Sequence, residues 1–558
     1  MTTEEKETTS DLDGPAGQES SAAAEPEKSE DQTAEKPNEP VHEDKPVPGE
    51  KPDRESGNDE EAVKEEKRPE AEEKPEVEEK PEAEENPAAE EKPEAEEKPE
   101  AEEKPEVEEK PAAEEKPAAE EKPVAGEKPP PPEVPEFVDL NEFQALPLAE
   151  LQQRAQDVGL RVAGIRSKHQ LVFEILQFYG KHGTRLEAEG FLDYSGDNFG
   201  FLRWPKLSFA PNADDVYVAA AFIKKQKLRP GQLLRCLIRP PKDREKFLST
   251  EEILAIEGVP VDEFENDADF DDLTALHPDE RIILETDDAA SPSPRVIDLI
   301  APLGKGQRGL IVAPPRGGKT ILLKNIAVSI AKNHPEVELI VMLLDERPEE
   351  VTDFRETVDA QVFSSTFDES AKRHTQVSDM VLNRARRLVE LGKDVVVLLD
   401  SLTRLARGHN AAHQGGKKGR GGPVGSGGIS GAALQRSRKF FGAARNVEEG
   451  GSLTILATCL IETESRMDDV IFEEFKGTGN MEITLDREMA ESRIWPAIHC
   501  LKSGTRKDDL LYHPEELQRV NGLRKQMAQR PPGEAMEVLL QNIANTNSNA
   551  ELLLRGLQ

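Results

Sequence analysis

The spacing of apolar residues changes character several times along the chain of 558 residues. Up to residue 135 there is almost nothing to space, because that stretch contains no Phe, Tyr, Trp or Ile. Beyond it, Leu148, Leu151, Ala155 and Val158 recur at helical intervals, and Gly159 follows as a stop signal. Ser167 and Gln170 read as a capping box opening a second helix through Leu171, Ile175 and Leu176. Residues 140–183 are thus expected to form a small helical module. From 186 to 258 the pattern shifts to short strands with polar breaks, in 190–194 (GFLDY), 199–203 (FGFLR), 215–218 (DVYV) and 233–238 (LLRCLI). Strands so closely spaced predict a small β-barrel. Residues 259–295 read as a linker, acidic and rich in surface-type residues from Asp262 to Asp288. From Ile297 onward, apolar β-branched runs alternate with helical segments, so 296–558 is expected to be an α/β domain. Its parallel sheet would have helices on both faces.

Charge sharpens the division. The chain carries 72 Lys and Arg against 112 Asp and Glu, a formal net charge of −40. Residues 1–135 hold 48 acidic and 18 basic side chains and 22 of the 42 prolines, so −30 of that charge lies in the tail. Such a segment cannot bury enough apolar surface to offset its chain entropy, and disorder is expected. Within it, residues 72–125 repeat with period six (EEKPEV, EEKPEA, EENPAA). A proline every sixth residue forbids a continuous helix and leaves extended, self-repelling segments. A tether, a solubility brush and an anionic decoy for nucleic acid all fit that state. No apolar run is long enough to span a bilayer, and the N-terminus lacks a basic-then-apolar signal pattern. Cys236, Cys459 and Cys500 show no paired spacing. A soluble cytoplasmic protein with no membrane partner is the expectation.

The sharpest chemical signal is 309–320 (GLIVAPPRGGKT), followed by a helical pattern from Ile321 to Lys332. A buried strand there feeds a glycine-bearing loop and a helix start whose N–H groups can hold phosphates. Lys319 would reach the β- and γ-phosphates of ATP, and the Thr320 hydroxyl would ligate Mg²⁺. Pro315, Arg316, Gly317, Gly318 and Ile321 complete the candidate loop, with Ala313 where the usual consensus has Gly. Two more apolar strands end in carboxylates: 395–400 in Asp400, suited to a Mg²⁺ shell, and 339–347 in Glu346, suited to orienting water. Each carboxylate alone could be a helix cap, but open α/β sheets place their sites at such strand ends. Arg506 and Arg493 are the candidates for a charge-stabilising arginine, and sequence does not choose between them.

Two stretches suit nucleic acid. Strand alternation in 198–203 (NFGFLR) puts Phe199, Phe201 and Arg203 on one face and Gly200 and Leu202 on the other. With Leu202 in the core, the outward face offers two stacking rings and a cation for a single strand; the competing reading buries the rings and leaves Arg203 as an edge charge. Residues 415–428 (GGKKGRGGPVGSGG) form a long basic loop, read either as a phosphate track or as a solvated insertion.

With these residues in view, the chain from about 140 to its end resembles the bacterial Rho family of transcription termination factors. The shared motifs are 304–315 (GKGQRGLIVAPP), 345–352 (DERPEEVT), 400–407 (DSLTRLAR), 440–452 (FFGAARNVEEGGS) and 473–481 (EEFKGTGNM). The resemblance implies a homohexameric ring with a RecA-like ATPase core, a preceding OB/cold-shock-like barrel and a small helical module. It implies an RNA-dependent ATPase with 5′-to-3′ RNA/DNA helicase activity that releases transcripts from an RNA polymerase elongation complex. It further implies that Phe199, Phe201, Arg203, Tyr217, Lys246 and Phe247 form a primary site for C-rich single-stranded RNA. By the same mapping Glu346 activates water, Arg506 is a finger acting on the neighbouring subunit with Arg493 assisting, and Trp495 lies against adenine. Arg347 and Arg404 fall in motifs lining the nucleotide pocket. Val424, Ser426, Gly427 and Gly428 resemble a central pore loop, and Arg466 belongs to a second. That pore loop is longer and more basic than the common form. Pro423 stands where a lysine is often found, and Lys417, Lys418 and Arg420 are its candidate replacements. Two other classes compete: a RecA-like hexamer of the protein-export type, which shares the DSLTR stretch, and a non-catalytic RNA-binding scaffold. The acidic tail inherits nothing from the family. If it screens weakly bound RNA, deleting residues 1–135 should change RNA affinity and its salt slope; equal values for both proteins would dismiss that role.

Overall fold

The computed structural model describes residues 134–160, 167–196, 198–242, 245–265, 268–287, 291–414 and 425–557. The repeat tail before residue 134, and the basic stretch bearing Lys417, Lys418, Arg420 and Val424, lie outside the described residues.

Strands Arg185–Tyr194, Gly200–Arg203, Val216–Val218, Leu248–Ile256 and Leu233–Arg239 lie side by side in that order. The last pairs back onto the first, closing a five-stranded barrel. Leu186, Ala188 and Leu192 alternate into its interior, where they meet Leu234, Cys236 and Ile238. Helices Leu148–Asp157 and Lys168–Lys181 bring Leu151, Ala155, Leu171, Ile175 and Leu176 to the same cluster, so helical module and barrel share one core. The Ser167 hydroxyl caps the second helix by accepting from Gln170 N at 3.1 Å. The strand Leu248–Ile256 escaped the sequence pattern for a physical reason. Its pairing with Leu233–Arg239 shifts register twice, and each bulge interrupts the alternation that marks a strand.

The α/β domain carries a sheet in the order Gln361–Thr366, Glu338–Glu346, Asp394–Asp400, Ser452–Leu460, Arg308–Ala313, Met481–Thr484 and Gly504–Thr505. All but the last are parallel neighbours. In the strand Arg308–Ala313, Ile311 and Ala313 face the helix Lys319–Asn333, while Leu310 and Val312 face the cluster of Ala371–Glu390 and its neighbours. Burial on both sides is why this strand reads as an unbroken apolar run.

The expected acidic linker behaves as a strap. Its carboxylates Asp269, Asp271, Asp272, Asp279 and Glu280 are exposed, yet Phe270, Ile282 and Leu284 are fully buried in the α/β cores. Ala275–Leu276 also pairs with Arg445–Val447, and Arg281–Ile282 pairs with Leu303–Gly304. A few anchors among many charges vanish in a composition average. The barrel docks on the same domain: Phe209 stacks on Phe363 at 4.5 Å between centroids, and Arg384 pairs with Glu257 at 2.6 Å.

Candidate nucleotide site and nucleic-acid interface

The strand Arg308–Ala313 gives way to the helix that begins at Lys319, so 314–318 is a tight loop at the carboxyl edge of the sheet. Gly317 N closes it by donating to Pro314 O at 3.0 Å. Gly318 has φ +84°, and a Cβ there would lie 2.6 Å from the Trp495 ring, so backbone conformation and space both require glycine. Pro315 and Arg316 are exposed at the tip, and Gly317 is buried.

Lys319 Nζ donates to both Asp400 oxygens, at 2.6 and 2.8 Å, and approaches Thr320 Oγ1 at 3.2 Å and Glu346 Oε2 at 3.5 Å. Burial pulls the Lys319 ammonium down, but Asp400 and Glu346 outweigh it and hold it above the ordinary lysine value. Asp400 is fully buried and also accepts from Thr458 Oγ1 at 2.8 Å. Leu343 is the register partner of Asp400, which brings Glu346, just beyond it, to the neighbouring strand end. Arg404 donates to Asp345 at 2.6 Å, with its Nε 4.0 Å from Glu346; Arg347 is exposed and 3.4 Å from Glu350. Burial, then Glu346, raises the Glu350 carboxyl. Thr458 and Glu350 were not singled out from sequence. Glu350 lies inside the 345–352 motif, whereas Thr458 reaches Asp400 only through strand pairing and has no local signal.

Thr320 Oγ1 lies 3.3 Å from Asp400 Oδ2 and 3.5 Å from Glu350 Oε2. These hard oxygen donors fit Mg²⁺, which binds through one or two carboxylates and completes its shell with phosphate oxygens and water. Beside the loop, Ser293, Gly318, Ile321, Leu322, Trp495 and Pro496 line a largely apolar slot of about 130 Å³. Ile321 is 66% and Trp495 41% exposed, leaving apolar surface for a flat heterocycle.

The two candidate arginines part company. Arg493 is exposed two residues before Trp495, near the slot. Arg506 lies at the far end of the sheet: its N–H donates to Asn480 O at 2.8 Å, and Thr505 pairs with Met481, whose other partner is Gly309. The length of the strand Arg308–Ala313, roughly 16 Å at about 3.3 Å per residue, separates it from its own phosphate loop. Arg506 is exposed and makes no side-chain ion pair with a described residue.

On the barrel, Phe199, Phe201, Tyr217 and Phe247 form one half-buried aromatic cluster. Phe201 lies 6.0 Å from Phe199, 5.9 Å from Tyr217 and 5.0 Å from Phe247 between centroids. Lys246 is exposed beside it, and Leu202 points into the core. Arg203 departs from the outward position expected of it. Its side chain is buried, donates from Nε to Asp193 at 3.0 Å and pairs with Asp215, and its guanidinium lies 5.0 Å from the Phe201 ring centre. Gln376 of the α/β domain donates to the same Asp193 at 3.2 Å. Docking of the two domains therefore covers the end of this strand, which alternation within one strand cannot foresee.

The described part of the pore-loop segment, Ser426–Gly428, meets the second loop. A Cβ on Gly427 (φ +71°) would lie 2.7 Å from the Arg466 carbonyl oxygen. Ser426 and Arg466 are exposed. Asn410 fixes the segment's end, donating to Gly428 O at 3.1 Å and accepting from Ser430 N at 3.0 Å.

Residues 293–505 match the family model of the ATP synthase alpha/beta family, nucleotide-binding domain, and residues 188–262 that of the Rho termination factor, RNA-binding domain. The transcription termination factor Rho of Akkermansia muciniphila is 54% identical over 423 residues, covering 76% of this chain and 88% of that protein. That of Aquifex aeolicus is 50% identical, covering 74% of this chain and 94% of its own length. A solved ATPase from the type III secretion system of pathogenic bacteria overlays with TM-score 0.43 and 23% identity, covering 51% of this chain and 86% of that one. Identity of this order over about three-quarters of the chain and nearly all of each relative places the chain in the Rho family of transcription termination factors.

Proposed function

We propose that the protein is an RNA-dependent ATPase that grips C-rich single-stranded RNA on its barrel, translocates along it as a homohexamer and terminates transcription by releasing the transcript from RNA polymerase. The observation that carries this reading is the union, in one chain, of the Lys319–Asp400–Glu346 cluster with the aromatic face of the barrel. ATP would lay its phosphates along the 314–318 loop and the first turn of the following helix, with Trp495 and Ile321 against the base. Mg²⁺, held by Thr320 and through water by Asp400, would supply charge neutralisation on the phosphates. Lys319, now drawn onto Asp400, is positioned to exchange one carboxylate oxygen for a phosphate oxygen. Glu346 would then be free to orient water and accept its proton. The place of action in this reading is the cytoplasm, where the nascent transcript emerges. No helix among the described residues is long and apolar enough to cross a membrane.

Hydrolysis of ATP by the purified protein should rise strongly with poly(C) and little with duplex RNA. Equal hydrolysis with and without RNA would favour an export-type ATPase, and ATP binding without hydrolysis would favour a scaffold. Because Phe201 touches three other rings, Phe201→Ala should weaken a short C-rich oligonucleotide by about 1–3 kcal/mol, read as a shift in Kd by fluorescence anisotropy. An unchanged Kd would take base stacking off this face.

A further inference from the structure

Away from both sites, an open groove of about 560 Å³ crosses the α/β domain, lined by Arg386, Arg436, Arg438, Lys439 and Arg445 against the single carboxylate of Asp271. Three of the cations have partners: Arg386 reaches Asp271 at 3.5 Å, Arg436 reaches Asp379 at 2.9 Å, and Arg438 pairs with Glu474. Lys439 and Arg445 have no ion-pair partner among the described residues. Arg386 and Arg445 both lie against the Phe270 ring, at 5.1 and 4.6 Å from its centre, which holds two like charges side by side. The dipole of the helix Gly431–Phe441 accounts for Arg438 and Lys439 in its last turn. It does not account for Arg386 and Arg445, which arrive from other elements.

Position adds a direction. The helix Gly431–Phe441 is capped by Ser430, where the pore-loop segment ends, so its cations continue from that loop. The helix Ala371–Glu390 touches the barrel through Gln376 and Arg384, lines the groove through Arg386 and pairs with Arg436 through Asp379. The groove thus lies on elements that join the aromatic face to the pore loop. Among the described residues, no aromatic side chain lines it on which a base could stack.

We propose that this groove is a third RNA contact, a sequence-independent track for the phosphate backbone between the barrel and the pore loop. It rests on the RNA reading above. Arg436 and Lys439 are exposed on a helix surface and can exchange water, or a weak surface carboxylate, for phosphate.

The test uses the full chain carrying Arg436→Gln and Lys439→Gln together, with three fluorescent RNAs: a short C-rich oligomer, and long unstructured C-rich and U-rich strands. The short oligomer should bind unchanged. Affinity for both long strands should fall, and the slope of log K against log salt should flatten by about 1.4, near 0.7 for each phosphate of a single strand that is no longer neutralised. Unchanged slopes on both long strands would overturn the proposal. So would a change in sedimentation with unchanged slopes, which would make the groove a contact for an acidic face of a neighbouring subunit. If the unsubstituted protein binds none of the three RNAs, the RNA reading falls and the track falls with it.

Discussion

Arg506→Ala is expected to lower ATP hydrolysis by about 10³–10⁵-fold while ATP binding stays within a few-fold of the parent. Within one chain this residue has no business with the phosphates. It sits beside Asn480 at the start of the parallel strands, whereas Lys319, Asp400 and Glu346 gather at their ends. It is nevertheless exposed, and no described carboxylate neutralises it. If this arginine acts on phosphates, as proposed, it does so on another copy of the chain. The mixing experiment follows from that geometry. Arg506→Ala subunits retain the loop and Glu346, and Glu346→Gln subunits retain Arg506. In the proposed ring, intact halves would therefore meet at some interfaces of a mixed assembly. Single-turnover hydrolysis should reappear on mixing two proteins that are each inactive alone. Silence in the mixture, with mixed assembly shown by sedimentation, would place the action of Arg506 within its own subunit or outside catalysis.

Much of this arrangement is legible in the sequence, because the features that carry it are local. The phosphate loop is a strand, a turn and a helix start within a dozen residues, and the strand-end carboxylates are marked by the apolar runs before them. What the sequence hides depends on pairing between distant segments. Thr458 holds Asp400 only because Ser452–Leu460 lies beside Asp394–Asp400 in the sheet. Arg203 is turned from an outward contact into a buried link by Asp193, Asp215 and the docking of Gln376. The strap is hidden by averaging, since Phe270, Ile282 and Leu284 are few among many acids. Arg493 and Arg506 look equivalent on paper and are parted by sheet topology alone.

Glu346→Gln should cut hydrolysis by about 10²–10⁴-fold and leave ATP binding, RNA binding and melting temperature nearly unchanged. The amide keeps the shape of the side chain and loses only the charge that, in the proposed function, takes a proton from water. Lys319 retains Asp400, its nearer partner at 2.6 Å against 3.5 Å for Glu346, so the phosphate loop is not disturbed. Lys319→Ala fails in a different way. It removes the cation between Asp400 and Glu346, both buried, and opening a buried pair costs about 3–5 kcal/mol. That variant should lose ATP binding and melt earlier. The contrast separates chemistry from architecture. A protein that bound ATP and RNA and still released transcripts with Gln at 346 would be a scaffold rather than a motor. Binding retained with release abolished would mean that hydrolysis drives the work on RNA.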